Sequence, residues 1–138
     1  PLKIYNGKKI PFKNKSFDTI LCAEVLEHIP FSEVKNALSE ISRVAKNKVI
    51  LTLPHDFLTY FLLTIKIIPF IKPKTFFLKI PRSIKHVFEG QHYWELGKKD
   101  YHLSRFTNLC KASRLELIKS YCLSEDPEHR FFIFKVTI

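Results

Sequence analysis

The sequence predicts an α/β fold: a largely parallel sheet with a helical crossover, closed by an antiparallel strand pair. Three observations predict it. Thr19-Ile20-Leu21-Cys22 is a continuous apolar or β-branched run, the pattern of a strand buried on both sheet faces. An amphipathic helical stretch and a second apolar run, KVILTL from Lys48 to Leu53, follow it, which makes a βαβ unit with parallel strands. Near the end, Leu115 to Leu123 and Arg130 to Thr137 both read as strands. The SEDPEH run between them is a turn, so that pair should be antiparallel.

In chain order, a turn around Pro11 leads into the first strand. Glu24, Glu27 and His28 sit at its end. Ligands of open α/β sheets bind outside the carboxyl ends of the strands, so acids and an imidazole stand where such a fold keeps its chemistry. Ser32 is a suitable N-cap, with Glu33 in the first turn. Val34, Ala37, Leu38, Ile41, Val44 and Ala45 follow the spacing of one helix face, and Asn47 is suited to end the helix in the left-handed conformation. Pro54 stops the next strand.

Residues 55–91 break the alternation and read as an insertion or lid. Phe57 to Ile71 is strongly apolar and interrupted by Lys66 and Pro69; it predicts one helix ending near Pro69, followed by an irregular basic loop through Lys85. The apolar run is too short for a membrane span, which needs ~20 residues. A lid helix and an interfacial helix gripping a membrane or lipid are both open, since basic flanks attract anionic lipid. Ser104 then caps a short helix with Phe106, Leu109 and Cys110 on its inner face.

The 138 residues suit a single domain, and a net charge of +10 admits nucleic acid, anionic membrane or an acidic partner. A lysine-rich proteome explains the charge equally well. Phe76, Phe77 and Phe88 offer stacking surfaces, but no RNA- or DNA-binding motif accompanies them, so nucleic acid is the weakest of these readings. Cys22, Cys110 and Cys122 show no CxxC spacing, and His86, His92 and His102 lack metal-ligand spacing; neither a disulfide framework nor a metal is expected. Reduced cysteines and the lack of a leader pattern at the start point to the cytoplasm, with peripheral membrane contact through residues 57–85 as an option.

Ile10-Pro11-Phe12, Ser16-Phe17-Asp18 and Glu24-Val25-Leu26-Glu27-His28, in that order and spacing, resemble the middle of a class I S-adenosylmethionine-dependent methyltransferase. The subfamily they resemble is the broad one that includes the ubiquinone and menaquinone methyltransferases. The later elements match the second half of that fold, whose fourth strand leads through a helix to a fifth, then to a late helix and an antiparallel sixth and seventh strand. The resemblance therefore implies a partial Rossmann-like sheet of the last four strands. HYWELG with its following helix resembles the family's late substrate-side loop, whereas ASRLELI departs from the usual alanine-glycine-phenylalanine turn.

The resemblance implies S-adenosylmethionine as cofactor. Cys22, Ala23 and Glu24 would line its methionine and ribose side, and Gly7 would mark the loop that approaches the adenine. Asn6 and Lys8 flank Gly7 where the family often has an aspartate. The family's glycine-rich turn after its first strand has no counterpart among Gly7, Gly90 and Gly97. The chain is accordingly expected to be a truncated form or a proteolytic fragment holding about half of a cofactor pocket. It would expose the inner edge of the central sheet, which offers a route to oligomers.

His28 is the candidate catalytic residue, as a general base or a substrate contact. His92, Tyr93 and Trp94, with Glu95, are candidates to close over the substrate. Each has a plainer alternative: strand-end packing for Cys22, a helix-dipole acid for Glu24, loop packing for His28 and a hydrophobic anchor for Trp94. Two functions remain open. The first is methyl transfer to a small, apolar or lipid-like acceptor. The second is a non-catalytic methyltransferase-like module that docks to a membrane or a partner chain.

Overall fold

The computed structural model describes residues 9–67 and 71–137. Gly7, expected near the adenine, lies outside them. Strand β1, Phe17–Ala23, runs into a single 3₁₀ turn, Leu26–His28, and then helix α1, Phe31–Val44. Strand β2, Ala45–Pro54, follows α1 directly. A hairpin of β3, Thr59–Ile67, and β4, Ile71–Ile80, comes next, and a long irregular stretch leads to helix α2, Leu103–Ala112. The chain closes with β5, Leu115–Tyr121, and β6, His129–Val136.

The main sheet has the order β1-β2-β6-β5. β1 and β2 are parallel and β5 and β6 antiparallel, as the sequence predicts; β6 also runs antiparallel to β2. Register fixes the core face. Val49 lies opposite Phe134 and Leu51 opposite Phe132, and all four are fully buried. Ile50 and Ile133 pair on the opposite face and are only partly covered. Val34, Ala37, Leu38 and Ile41 of α1 join this core with Phe106 and Cys110 of α2. Phe106 contacts Phe132 at 5.2 Å between ring centroids and Trp94 at 5.8 Å.

The helix face read from the sequence is the face α1 buries, but its ends differ from expectation. Pro30, not Ser32, occupies the N-cap, and no side chain caps the helix. Phe31 is held instead, with Trp94 and Tyr101 each 5.0 Å away and the Arg105 guanidinium 4.6 Å above its ring. Packing of the first helical residue outweighs a hydroxyl cap worth ~1 kcal/mol. At the other end Asn47 is a strand residue: Ala45 is already extended (φ −79°, ψ 140°) and fully buried.

Two larger differences concern exposure and the insertion. Leu21 is 66% exposed, so β1 is not buried on both faces. Among the described residues it is the sheet's end strand, with β2 as its sole neighbour. Residues 59–67 and 71–80 form a two-stranded antiparallel sheet rather than a helix followed by an irregular loop; Pro69, the expected helix end, lies outside the described residues. Phe61 faces Leu78 and Leu63 faces Phe76, all four more than half exposed. Thr59, Tyr60, Phe61, Thr64 and Ile65 are β-branched or aromatic, which favours a strand. The side chains are apolar on both hairpin faces, so the strand's period of two is invisible in the sequence. The stretch after Ile80 is irregular, as expected.

Candidate functional site

β1 delivers its last residues to the sheet's carboxyl edge, where Glu24 adopts φ +50°. This left-handed conformation is costly for a residue other than glycine and clusters at functional sites. The Glu24 N–H donates to both the carbonyl and the hydroxyl of Thr52, at 3.3 and 3.2 Å. The kink swings the chain into the 3₁₀ turn that carries Glu27 and His28.

That turn is laced to residues 91–94, more than sixty positions away. The Tyr93 N–H donates to the Glu27 carbonyl at 2.8 Å, and Trp94 Nε1 donates to the Leu26 carbonyl at 3.0 Å. His28 Nδ1 lies 3.1 Å from the Gln91 carbonyl. Trp94 is fully buried, which makes it the anchor that sets this loop. His92 is thereby brought against His28, ring centroids 5.0 Å apart, and its Nδ1 lies 3.2 Å from Glu95 Oε1. Lys98 ties Glu95 to Asp56, at 3.7 and 3.2 Å. Tyr93 points outward, 44% exposed and 4.6 Å from Phe88.

Of the residues singled out by sequence, the structure brings together His28 and His92, beside the turn that Glu24 opens. Cys22 and Ala23 end β1 on the same edge. Burial, followed by the charges of Glu27 and Glu24, pushes the Cys22 thiol up to about 12, so it stays protonated.

Sequence reasoning placed Glu27 at the strand end but gave it no role, although it is the most unusual group of the site. Its side chain has no exposure, and neither carboxylate oxygen has a hydrogen-bond partner. Burial, with the Glu24 charge adding to it and the residue's own backbone N–H opposing it, raises its pKa to about 7. Sequence reasoning passed over His129. Its Nε2 lies 3.5 Å from Glu24 Oε2 and its Nδ1 is 2.7 Å from Asp126. Burial opposes protonation there, but the Asp126 hydrogen bond and the Glu24 charge outweigh it and raise the pKa. One signal for Glu27 was present: an acid three residues after Glu24, in a turn otherwise destined for the core.

An open cleft of about 440 Å³ is lined by His55, Asp56, Phe57, His92, Glu95 and His129 among others. His55 also belongs to a second cluster. Lys79 Nζ donates to the His55 and Pro127 carbonyls and lies 3.1 Å from His55 Nδ1. Burial, then the Lys79 and Arg130 charges, drive the His55 pKa down to about 3, leaving it neutral.

Comparison with known proteins bears on this arrangement. Residues 3–53 match the model of a methyltransferase domain. An uncharacterised protein of Methanocaldococcus jannaschii is 49% identical over 39 residues, 28% of this chain and 16% of that protein. An S-adenosylmethionine-dependent methyltransferase from Methanosarcina mazei superposes with a TM-score of 0.59 at 15% identity, covering 99% of this chain and 66% of that one. One from Clostridium acetobutylicum gives 0.59 at 10% identity, covering 99% and 64%. The Burkholderia thailandensis 1,6-didemethyltoxoflavin-N1-methyltransferase, solved with S-adenosylhomocysteine, gives 0.57 at 11% identity, covering 92% and 47%. The chain thus spans about half to two thirds of the length of these solved structures. A mixed sheet in the order β1-β2-β6-β5, with Glu24, Glu27 and His28 at the carboxyl end of β1, is the Rossmann-like architecture of the class I methyltransferases, and that is the fold of this chain.

Proposed function

We propose that the chain is the later part of an S-adenosylmethionine-dependent methyltransferase acting on a small-molecule acceptor. The observation that carries this reading is the kinked carboxyl end of β1, inside the matched residues 3–53, in a sheet of that fold. The residues present fit the cofactor in part. Ala23 is exposed and small, so its backbone is approachable, and Glu24 Oε1 is buried without a partner. Cys22, Ala23 and Glu24 would hold the cofactor's methionine and ribose side. The bound cofactor supplies an electrophilic methyl group. The chain's own residues position the acceptor and exclude water. His28, half-exposed beside His92, is the imidazole that faces the acceptor, and Tyr93 is the aromatic surface at the rim. Trp94 acts only through the loop it anchors.

Calorimetric titration of S-adenosylhomocysteine into the product of the full reading frame tests the reading. Micromolar binding, weakened about tenfold or more by Glu24→Gln, is expected, since hydrogen bonds to charged groups are worth ~1.5–3 kcal/mol. No heat at millimolar ligand would sink it.

The exposed hairpin favours a second role beside the first, contact with an anionic membrane surface. Phe61, Leu63, Ile65, Phe76 and Leu78 form one uncovered apolar face, flanked by Lys66 and Lys74. Among the described residues no helix is long and apolar enough to cross a membrane. Co-sedimentation with phosphatidylserine vesicles should fall several-fold on Lys66→Glu with Lys74→Glu; equal pelleting would remove the idea. Among the described residues the outer edge of β1 has no partner strand, and it is the surface through which copies of the chain would associate.

A further inference from the structure

Glu27 has no role in the packing described above, yet its carboxylate is fully buried with both oxygens unpartnered. Such a group is expensive unless it is paired or coordinates a metal. Two imidazoles stand beside it. Ligand atoms of Glu27, His28 and His92 all lie within 4.8 Å of one another. His28 Nε2 is 3.8 Å from Glu27 Oε1, too far for a hydrogen bond.

The tautomers are set by what the other ring nitrogens meet. His28 Nδ1 faces the Gln91 carbonyl at 3.1 Å, which only accepts, so Nδ1 carries the hydrogen and Nε2 keeps its lone pair. His92 Nδ1 faces Glu95 Oε1 at 3.2 Å, with the same result. Carbonyls and carboxylates behind the imidazoles are how proteins orient histidines toward a metal. Lys98, in turn, holds the Glu95 carboxylate in place at 3.7 Å.

We propose that Glu27, His28 and His92 bind a first-row divalent transition-metal ion. Two imidazoles and a carboxylate are a donor set that zinc, cobalt, iron and nickel accept. Ligand atoms ~2.1 Å from a tetrahedral centre lie ~3.4 Å apart, so the widest pair must draw in by up to ~1.4 Å. Three protein ligands leave positions open for water or for an oxygen or nitrogen of a bound molecule. If that molecule is the methyl acceptor, a clause that rests on the proposed function, the ion would orient it. His28 would then serve as a ligand and not as a free base, since Nε2 cannot do both.

The test is Co²⁺ titration of the chelator-treated chain, read by calorimetry and by visible absorption. One ion per chain is expected, with a d–d band and no intense thiolate charge-transfer band. Glu27→Gln and His92→Gln should each weaken binding at least 100-fold. Glu95→Gln, which leaves all three ligands in place, should weaken it 10–100-fold. His102→Ala, an exposed histidine elsewhere, should leave it unchanged. Binding well below one ion per chain, or unchanged affinity in Glu27→Gln and His92→Gln, would overturn the site. Should either ligand variant lose its far-ultraviolet dichroism, Glu95→Gln decides, and unchanged affinity there also overturns it. Cobalt binding without S-adenosylhomocysteine binding would leave the metal site standing and remove the methyltransferase reading; the reverse would do the opposite.

Discussion

His55 shows how one buried ring makes stability depend on pH. Its pKa falls to about 3 in the folded chain against an ordinary value near 6.5, because burial and the nearby Lys79 and Arg130 charges disfavour the cation. The unfolded chain therefore binds the proton first as pH drops. His55 costs nothing above pH 6.5, and stability is lost progressively from there down toward pH 3. Thermal melts should show Tm falling between pH 7 and pH 4, with a shallower fall in His55→Gln; parallel slopes would contradict the assignment. Gly97 is a second sensitive position. It sits at φ +91°, and an added Cβ would lie 2.5 Å from the Asp56 carbonyl and 3.0 Å from the His55 ring. Gly97→Ala should cost ~2 kcal/mol or more in urea unfolding, from strain and overlap together. Gly90 has nothing within 4 Å of such a Cβ, so Gly90→Ala should cost less.

Among the elements, α1 was the most legible and the hairpin the least. Val34, Ala37, Leu38 and Ile41 repeat at helix spacing against a polar background, and no other period fits them. The FLTYFLLTIKII run has no polar background, so its period could not be read. Only its β-branched and aromatic content signalled a strand. The site was legible where it is local and hidden where it is not. Glu24, Glu27 and His28 share one short stretch, but the His28–Gln91 contact spans 63 positions and no periodicity encodes it. The link between the two halves is Trp94. Trp94→Phe keeps most of the packing but leaves the buried Leu26 carbonyl without its donor. A loss of ~1–3 kcal/mol is expected in denaturant melts. The loop should shift as well, so the His28 and His92 side-chain NMR signals should broaden or move; unchanged spectra would deny Trp94 its positioning role.

At the scale of the whole molecule, the likeness to methyltransferases follows from the sheet. The order β1-β2-β6-β5 places the antiparallel pair at one end and β1 at the other, where Leu21 stands 66% exposed. Apolar sequence alone made β1 look like a central strand. Which neighbours a strand has is a property of topology, and no run of four residues contains it. β1 is nevertheless held at its start. Arg43 of α1 donates to the Ile10 and Phe12 carbonyls at 2.9 and 2.8 Å and pairs with Glu40, which accepts from the Ile10 N–H at 3.0 Å.

Among the described residues β1 is paired on one side only, and such a strand carries a signature in solvent exchange. Successive backbone N–H groups along β1 point alternately toward β2 and toward the open edge. Amide deuteration of the chain should therefore alternate fast and slow along Phe17–Ala23, at neutral pH, while Lys48–Thr52 of β2, paired on both sides, exchange slowly. Any strand that came to lie against β1, from a second copy or from the rest of a longer polypeptide, would slow the fast amides and leave the slow ones alone. The alternation is thus a built-in reporter: a period of two in the exchange rates marks the bare edge, and its disappearance marks the moment the sheet gains its next strand.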